Sequence, residues 1–291
     1  MVDRAGSVGR GVAFNFPERT EFAMSALQFG ERVLLIDAKD RRYLVLLQVN
    51  QQFHTHSGTI DHNNLAGRHE GDVIENSVGK TYLVVRPTLS DVVLKMPRGA
   101  QVIYPKDLGA ILIQADIRPG LRVLEAGVGS GALSMTLLRA GARITGYEIR
   151  EDFAGRAKNN VAAMLGPDQP YEVLIRDVTE GIDGEFDRII LDMPEPWRVV
   201  EHAAKALVPG GTFLAYLPTI NQTQQLRQAL DDHAFGLSET VEILRRTWHI
   251  DGRSVRPDHR MVGHTGFLTS ARRITHRSSE FASVVSDDAE D

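Results

Sequence analysis

The chain has 291 residues, of which 42% are apolar and 24% charged, and this composition is typical of a globular protein with one large or two moderate domains. It excludes collagen, a coiled coil and wholesale disorder. The absence of cysteine excludes disulfides, Cys-ligated zinc, iron–sulfur clusters and thiol nucleophiles. There is no apolar run approaching about 18 residues and no apolar leader, so we expect a cytoplasmic protein without a membrane segment.

The net charge of −5 is concentrated at the C-terminus. Five of the 38 acidic residues and none of the 33 basic residues lie in segment 278–291, so the other 277 residues carry 33 of each sign. We therefore expect an acidic, disordered tail over 278–291. Basic residues also cluster between positions 245 and 277, and composition alone fits a basic binding face and a merely solvated surface about equally.

The first part of the chain has a β pattern. Apolar and β-branched runs at 32–36 and 43–49 predict a hairpin, and glycines then separate short runs at 72–75 and 81–85. We predict a small N-terminal β-domain over 1–85, built as a barrel or meander. Thr88 and Asp91 form a capping-box pattern for a helix to about residue 96, and Pro105 fits the first turn of a helix to about 114. These helices would link the two domains.

From Leu121 onward, strands alternate with helices, which is typical of a parallel sheet covered on both faces. This α/β domain is predicted over 86–277, including the linking helices. The predicted strands are 122–125, 143–148, 172–175, 188–191 and 212–217, followed by strand pattern at 240–247 and 266–271. The predicted helices are 131–140, 151–165, 197–206 and 221–232.

A glycine-rich loop joins the first of these strands to the first helix. Gly127, Gly129 and Gly131 alternate there, and their missing side chains let a ligand lie against the backbone. Gly127, Gly129 and Ala132 also fit the G-x-G-x-x-A pattern of dinucleotide sites, with Glu148 at the distance of a ribose-binding acid. Beside a general ligand-binding loop and a dinucleotide site, a tight turn that binds no ligand is the third interpretation.

Acidic residues at the ends of four predicted strands favour one ligand. They are Glu125, Glu148, Asp177 and Asp192. S-adenosylmethionine carries a cationic amino group, a ribose diol and an adenine amine, all of which donate to carboxylates, whereas the pyrophosphate of NAD requires donors from the protein. The segment resembles class I methyltransferases, whose Rossmann-like domain has a mostly parallel seven-stranded sheet.

The class I resemblance implies a set of cofactor-binding residues. By position, Glu125 would lie near the methionine end, Glu148 would bind the ribose and Asp177 the adenine amine. The loop residues Gly127, Val128, Gly129, Ser130 and Gly131 would border the cofactor. Phe153 would pack either on the adenine or in the core, and Gln101 would contact the cofactor or act as a linker residue.

Asp192 ends an apolar strand and is followed by Pro194, Pro196 and Trp197. The prolines fix the backbone around the acid, although a role for Asp192 as a helix cap or ion-pair partner remains an alternative. Together with segments 86–91, 96–107 and 260–267, segment 191–197 resembles tRNA (adenine-N1)-methyltransferases, with the match covering about 53–273.

That resemblance implies methylation of adenine 58 in the T-loop of tRNA by a homotetramer. Methylation at N1 leaves the ring positively charged, so a carboxylate that accepts from the N6 amine would stabilise the transition state, and we assign this role to Asp192. The base must be extruded and held, and Tyr104 is the candidate for stacking on it. Trp197 is a second candidate or a buried anchor. Arg256, Arg260 and His264 would meet tRNA phosphate, close the pocket or contact another subunit.

Two alternatives to this function stay open, and an NAD-dependent oxidoreductase is disfavoured because nothing in the sequence resembles a hydride-transfer site. The chain would otherwise methylate adenine 57 or another RNA, or it would be a cofactor- or RNA-binding subunit that needs a partner, as eukaryotic relatives divide these tasks between two subunits. Because both the glycine loop and the Asp192 segment are present, we expect a self-sufficient catalytic chain.

His54, His56, His62 and His69 suggest a metal site, but we expect structural or RNA-facing histidines and no metal.

Overall fold

The computed structural model describes residues 25–96, 99 and 101–275, and its N-terminal part is an antiparallel β-structure. Strands alternate buried and exposed side chains, as in the strand Thr81–Val85, where Tyr82 and Val84 face the core while Thr81 and Leu83 face solvent. The predicted hairpin is confirmed, whereas a second hairpin of the strands Gln52–Thr55 and Gly58–Asp61 was not predicted. The sheet order is β2-β1-β6-β5, with β1 (Arg32–Asp37), β2 (Arg42–Leu46), β5 (Val73–Glu75) and β6 (Thr81–Val85), beside the hairpin of β3 (Gln52–Thr55) and β4 (Gly58–Asp61).

Two helices follow, α1 (Leu89–Lys95) and α2 (Pro105–Gln114). The predicted capping box is present, because Thr88 Oγ1 accepts from the Asp91 N–H at 3.2 Å and Asp91 Oδ2 accepts from the Thr88 N–H at 3.0 Å. Pro105 occupies the first turn of α2. The domain limits at residues 85 and 277 stay a prediction, and the acidic tail lies outside the described residues.

The second part confirms the predicted Rossmann-like fold. Five parallel strands are extended by β15, which is antiparallel to both of its neighbours. The order across the sheet is β12 (Phe235–Glu242), β15 (Phe267–Arg273), β11 (Leu207–Leu217), β10 (Phe186–Leu191), β7 (Arg122–Ala126), β8 (Arg143–Glu148) and β9 (Tyr171–Ile175). The remaining helices are α3 (Ala132–Arg139), α4 (Glu151–Leu165), α5 (Val200–Ala206) and α6 (Ile220–Asp231).

The order of the strands creates a switch point between β7 and β10. The chain runs outward from β7 through β8 to β9 and then returns to the other side of β7. One apolar core includes side chains from α1, α2 and α3, and the other includes side chains from α5 and α6. Open α/β sheets bind ligands at the carboxyl edge of such a switch point, so this edge is where a site is expected.

The structure corrects two predicted elements. The helix predicted at 197–206 starts with a 3-10 turn, Pro196–Val199, and is α-helical only from Val200. The strand predicted at 240–247 is misplaced, because β12 ends at Glu242 and begins at Phe235. A bulge between Gly236 and Glu239 interrupts the alternation that sequence reasoning depends on.

A hairpin of β13 (Trp248–Asp251) and β14 (Ser254–Pro257) was not predicted at all. Three of its apolar side chains, Trp248, Ile250 and Val255, are exposed, so no core burial marks the hairpin in the sequence. None of the helices in the described part of the chain is both long and apolar enough to cross a membrane.

Candidate active site

A cavity of about 580 Å³ opens at the carboxyl ends of β7, β8, β9 and β10. Seven predicted site residues line it: Gln101, Gly127, Gly129, Glu148, Phe153, Asp177 and Asp192. Val128 and Ser130 line a narrower adjoining cavity that shares Gln101 and Asp192 with the first. The predicted residues therefore make up seven of the 17 that line the cavity, and residues far apart in the chain contribute to it.

The three loop glycines are required for different reasons. A Cβ on Gly127 would lie 2.0 Å from the carbonyl oxygen of Asp192, and one on Gly131 would lie 3.2 Å from Ala157 Cα. Both are therefore needed for chain packing, and both have positive φ. Among the residues that the structure describes, a Cβ on Gly129 would meet only Gly127 O, at 4.0 Å. Gly129 is thus the glycine whose open side faces the cavity.

Glu148 connects the glycine loop to the start of α4. It is buried, and its Oε2 accepts from the Gly129 N–H at 3.0 Å while its Oε1 accepts from the Arg150 N–H at 3.0 Å. Each carboxylate oxygen has two lone pairs, so both retain a lone pair for a hydroxyl donor in the cavity. The same acid therefore shapes the loop and lines the cavity beside it.

Asp177 follows β9 and caps the 3-10 helix Val178–Glu180. Its Oδ1 accepts from the Thr179 hydroxyl at 2.7 Å and from the Thr179 N–H at 2.8 Å. These two hydrogen bonds, the hydroxyl first, hold the pKa of Asp177 below its usual value. The carboxylate is therefore charged at neutral pH, and across the described residues its Oδ2 accepts no hydrogen bond.

Aromatic side chains form one wall of the cavity. The Phe153 ring lines it, and the Arg150 guanidinium carbon lies 3.8 Å from the ring centroid. The structure therefore places Phe153 at the cavity rather than in the core. Tyr147 also lines the wall and was missed, because a tyrosine in a buried strand has the pattern of a core residue.

Asp192 lies at the carboxyl end of β10, where it is half-buried and its N–H donates to Ala126 O at 2.9 Å. That bond joins the ends of β7 and β10 at the switch point. Enclosure by protein raises the pKa of the Asp192 carboxyl to about 7. Met193 and Pro194 continue the cavity wall beyond it.

Glu125 lies beneath the glycine loop and not on the cavity wall. It is fully buried, its Oε2 accepts from Ser134 Oγ at 2.7 Å, and its Oε1 has no hydrogen-bond partner among the described residues. Burial above all raises the pKa of Glu125 to about 8, with the charges of Asp192 and Glu148 adding to the effect. The predicted contact of Glu125 with the methionine end of a cofactor stays a prediction.

Other predicted residues lie away from the cavity wall. Tyr104 is the half-buried residue before the first turn of α2, and Trp197 is half-buried in its 3-10 turn rather than a buried anchor. His264 contacts Glu242 Oε1 through Nδ1 and Pro218 O through Nε2, both at 2.7 Å. Arg256 lies in β14 and Arg260 is exposed beyond it.

The histidines of the N-terminal part do not converge. His54, His56 and His69 are exposed, while His62 is buried with Nδ1 accepting from the Gln48 N–H at 3.1 Å. Within the ranges that the structure describes, no group of three or more His, Asp or Glu residues is arranged to hold a metal ion.

Sequence comparisons identify two family models along the chain. The model described as tRNA methyltransferase complex GCD14 subunit matches residues 80–256, and the TrmI-like N-terminal model matches residues 26–74. The tRNA (adenine(58)-N(1))-methyltransferase TrmI of Thermus thermophilus is 37% identical over 83% of this chain and 96% of its own. The tRNA (adenine(57)-N(1)/adenine(58)-N(1))-methyltransferase TrmI of Methanocaldococcus jannaschii is 36% identical, over 82% and 94%.

Solved structures show the same architecture. A SAM-dependent O-methyltransferase from Thermotoga maritima superposes with a TM-score of 0.83 at 34% identity, covering 87% of this chain and 96% of that one. The tRNA (m1A58) methyltransferase TrmI from Aquifex aeolicus gives a TM-score of 0.76 at 29% identity, covering 87% and 100%. With a family model that spans most of the chain and a relative of 37% identity, this chain belongs to the TrmI-like family of class I tRNA methyltransferases.

Proposed function

We propose that the chain transfers a methyl group from S-adenosylmethionine to N1 of adenine 58 in the T-loop of tRNA. Family membership supports the reaction type, and the observation that carries the assignment is the enclosed Asp192 carboxyl beside the glycine loop at the switch point. The adenine-58 target rests on the similarity to bacterial TrmI. Adenine 57 is the second candidate, because the archaeal relative acts at both positions by its name.

The residues of the cavity fit S-adenosylmethionine. Gly129 leaves backbone open to a ligand, Glu148 offers lone pairs to the ribose hydroxyls, and Asp177 offers Oδ2 to the adenine amine. Phe153 presents its ring to the adenine, and Gln101 borders the same space. The cofactor supplies an electrophilic methyl group and a neutral thioether leaving group.

Asp192 acts on the acceptor base. Its carboxylate accepts from the exocyclic N6 amine, which orients N1 of the base toward the methyl group. As N1 acquires positive charge, the amine becomes a stronger donor, so the hydrogen bond stabilises the transition state more than the ground state. Tyr104, at the start of α2, would hold the extruded base by stacking.

The function is tested by transfer of labelled methyl to an unmodified tRNA transcript, compared with transcripts in which adenine 58 or adenine 57 is replaced by guanine. We expect 1-methyladenosine in the first transcript and its loss only when adenine 58 is replaced. Loss of 1-methyladenosine when adenine 57 is replaced would identify adenine 57 as the target. Incorporation of label without 1-methyladenosine would contradict N1 as the acceptor atom. The absence of transfer would favour a subunit that needs a partner.

Asp192→Asn tests the role of the carboxylate. We expect kcat to fall by about 10² to 10³, because one preorganised charged contact is lost, while the Kd for S-adenosylmethionine changes by less than about threefold. With a pKa near 7, the Asp192 carboxyl is charged above neutral pH and protonated below it, and the proposed hydrogen bond from N6 uses the charged form. We therefore expect kcat/KM of the wild type to decrease below pH 7. The variant should lack this dependence.

Glu195→Gln is the matched control, since Glu195 lies on the same loop but is exposed and paired with Arg198. Its kcat should stay within about twofold of the wild type. Near-normal turnover of Asp192→Asn would remove Asp192 from the mechanism.

A further inference from the structure

An enclosed ion pair lies at the start of α2. The side chain of Asp107 is fully buried and that of Lys106 is 6% exposed, and Lys106 Nζ lies 2.8 Å from Asp107 Oδ1. Thr265 completes the group, because its Oγ1 accepts from Lys106 Nζ at 2.5 Å and donates to Asp107 Oδ2 at 2.7 Å. Lys106 Nζ also donates to the carbonyl oxygen of Ile243 at 2.6 Å. We call Lys106, Asp107 and Thr265 the tether.

The tether joins three segments that are distant in sequence. It connects the first turn of α2 to the residue after β12 and to the loop that enters β15. The same loop receives a further bond, since the Tyr216 hydroxyl donates to Thr265 O at 2.6 Å. A Cβ on Gly266 would lie 2.4 Å from the Tyr216 ring, so the ring lies directly on this backbone. The tether thus fixes the loop and, through it, the end of β11.

The two segments that the tether connects both border Asp192. On one side, residues Gln101, Val102 and Ile103, just before α2, line a cavity together with Asp192. On the other, Ala215 of β11 pairs with Leu191, the residue before Asp192. Asp192 therefore lies between the segment that precedes α2 and the end of β11, and the tether holds these two segments together.

We infer that Lys106, Asp107 and Thr265 are positioning residues for the methyl acceptor, holding the segment before α2 and the end of β11 at a fixed separation around Asp192. This inference rests on the proposed function. None of the three lines the main cavity, so they act through the segments they hold and not by contact with the cofactor. A displacement of about 1 Å in a positioned reactant can lower a rate by about 10².

Thr265→Val tests the inference, because valine has the shape of threonine but neither accepts from Lys106 nor donates to Asp107. We expect kcat for tRNA methylation to fall by about 10- to 100-fold, with KM for tRNA and Kd for S-adenosylmethionine changed by less than about threefold. Thr265→Ser restores the hydroxyl and should recover most of the turnover. If Thr265 were merely structural, Thr265→Val would lower the melting temperature and leave kcat unchanged.

Thr269→Val is the matched control, since Thr269 is a buried threonine on β15 whose hydroxyl lies 3.0 Å from that of Thr240. Its kcat should stay within about twofold of the wild type. Wild-type turnover in Thr265→Val, or an equal loss in Thr269→Val, would overturn the positioning role while the proposed function stands. If the wild-type chain methylates no tRNA, both the positioning role and the proposed function are contradicted. If it methylates another tRNA base, and only Thr265→Val slows that reaction, the positioning role is supported and the target changes.

Discussion

Acids at the strand ends of the sheet differ in proton affinity because their surroundings differ. Hydrogen bonds from Thr179 lower the pKa of Asp177, whereas burial raises that of Asp192 to about 7 and that of Glu125 to about 8. The sequence shows that these residues are acidic and follow strands. It does not show which are charged, because the burial of Glu125 depends on packing around Ser134 and Tyr171.

Asp177→Asn tests the predicted adenine contact. Asparagine keeps an oxygen for the Thr179 hydrogen bonds and so preserves the 3-10 cap, but it places an amide donor or a neutral acceptor toward the cofactor. We expect Kd for S-adenosylmethionine to rise about tenfold, equivalent to about 1.4 kcal/mol, with kcat at saturation unchanged. Calorimetric titration measures this, and an unchanged Kd would contradict the assignment.

Glu125→Gln tests the protonation of the buried acid. In the wild type the unfolded chain loses this proton near pH 4.5 and the folded chain only near pH 8, so the folded state binds more protons between those values and its stability falls as the pH rises. Above about pH 8 the contribution is lost completely. Glutamine accepts from Ser134 without titrating, so urea unfolding at pH 5 and pH 8 should show a smaller decrease in the variant. Equal decreases would mean that Glu125 does not titrate in this range.

At the scale of elements, tight packing of the chain on itself determines the shape of the loop after β7. The Gly127 backbone contacts the Asp192 carbonyl, and Gly131 contacts α4 at Ala157. Gly127 and Gly131 therefore let β7, β10 and α4 approach one another closely, whereas among the described residues a Cβ on Gly129 would meet no side chain within 4 Å. Sequence pattern identified the loop, but only the structure separates the packing glycines from the one whose backbone is open at the cavity.

Gly127→Ala and Gly155→Ala form a contrasting pair. At Gly127 the added methyl would overlap the Asp192 carbonyl and the backbone has φ of 84°, so we expect the free energy of unfolding to fall by roughly 2–4 kcal/mol. Gly155 lies in α4 with nothing within 4 Å of its Cβ position, so alanine should raise stability by about 0.5–1 kcal/mol. Chemical denaturation measures both, and a stable Gly127→Ala would contradict the packing argument.

The parallel sheet was predictable because each buried strand is an apolar run followed by a turn and a helix. The capping box of α1 was also predictable, because its two partners are only three residues apart in the sequence. The tether was not predictable, because Lys106 and Thr265 are 159 positions apart and neither differs in the sequence from any other polar residue. The hairpin β13–β14 was missed because its apolar side chains are not buried within the chain.

At the scale of the whole molecule, the exposed hairpin is a candidate contact surface for the homotetramer that the family resemblance implies, and the tetramer itself stays a prediction. Trp248 and Ile250 alternate along β13, and Val255 pairs with Ile250, so three apolar side chains share a face. We expect light scattering to give a mass four times that of the 32.2 kDa chain.

Trp248→Asp should reduce that mass, whereas Val49→Asp, at a residue of similar exposure in the N-terminal part, should leave it unchanged. A monomeric wild type would contradict the prediction, and equal effects of the two substitutions would place the contact elsewhere. The cytoplasmic location stays a prediction from the sequence.

The switch point has a consequence for how such a chain can diversify. Residues on the β7–β9 side, from Gly127 to Thr179, provide most of the cavity wall, whereas the loop after β10 provides Asp192 and the tether joins α2 to the entry of β15. In the proposed function these two sets are the donor-binding and the acceptor-binding side, and they lie largely on opposite halves of one sheet, with the Asp192 backbone packed against Gly127 between them. We therefore expect a change of acceptor specificity to need alteration of only a few loops, and a library confined to segments 102–105, 193–198 and 261–264 spares Gln101, Asp192 and the tether.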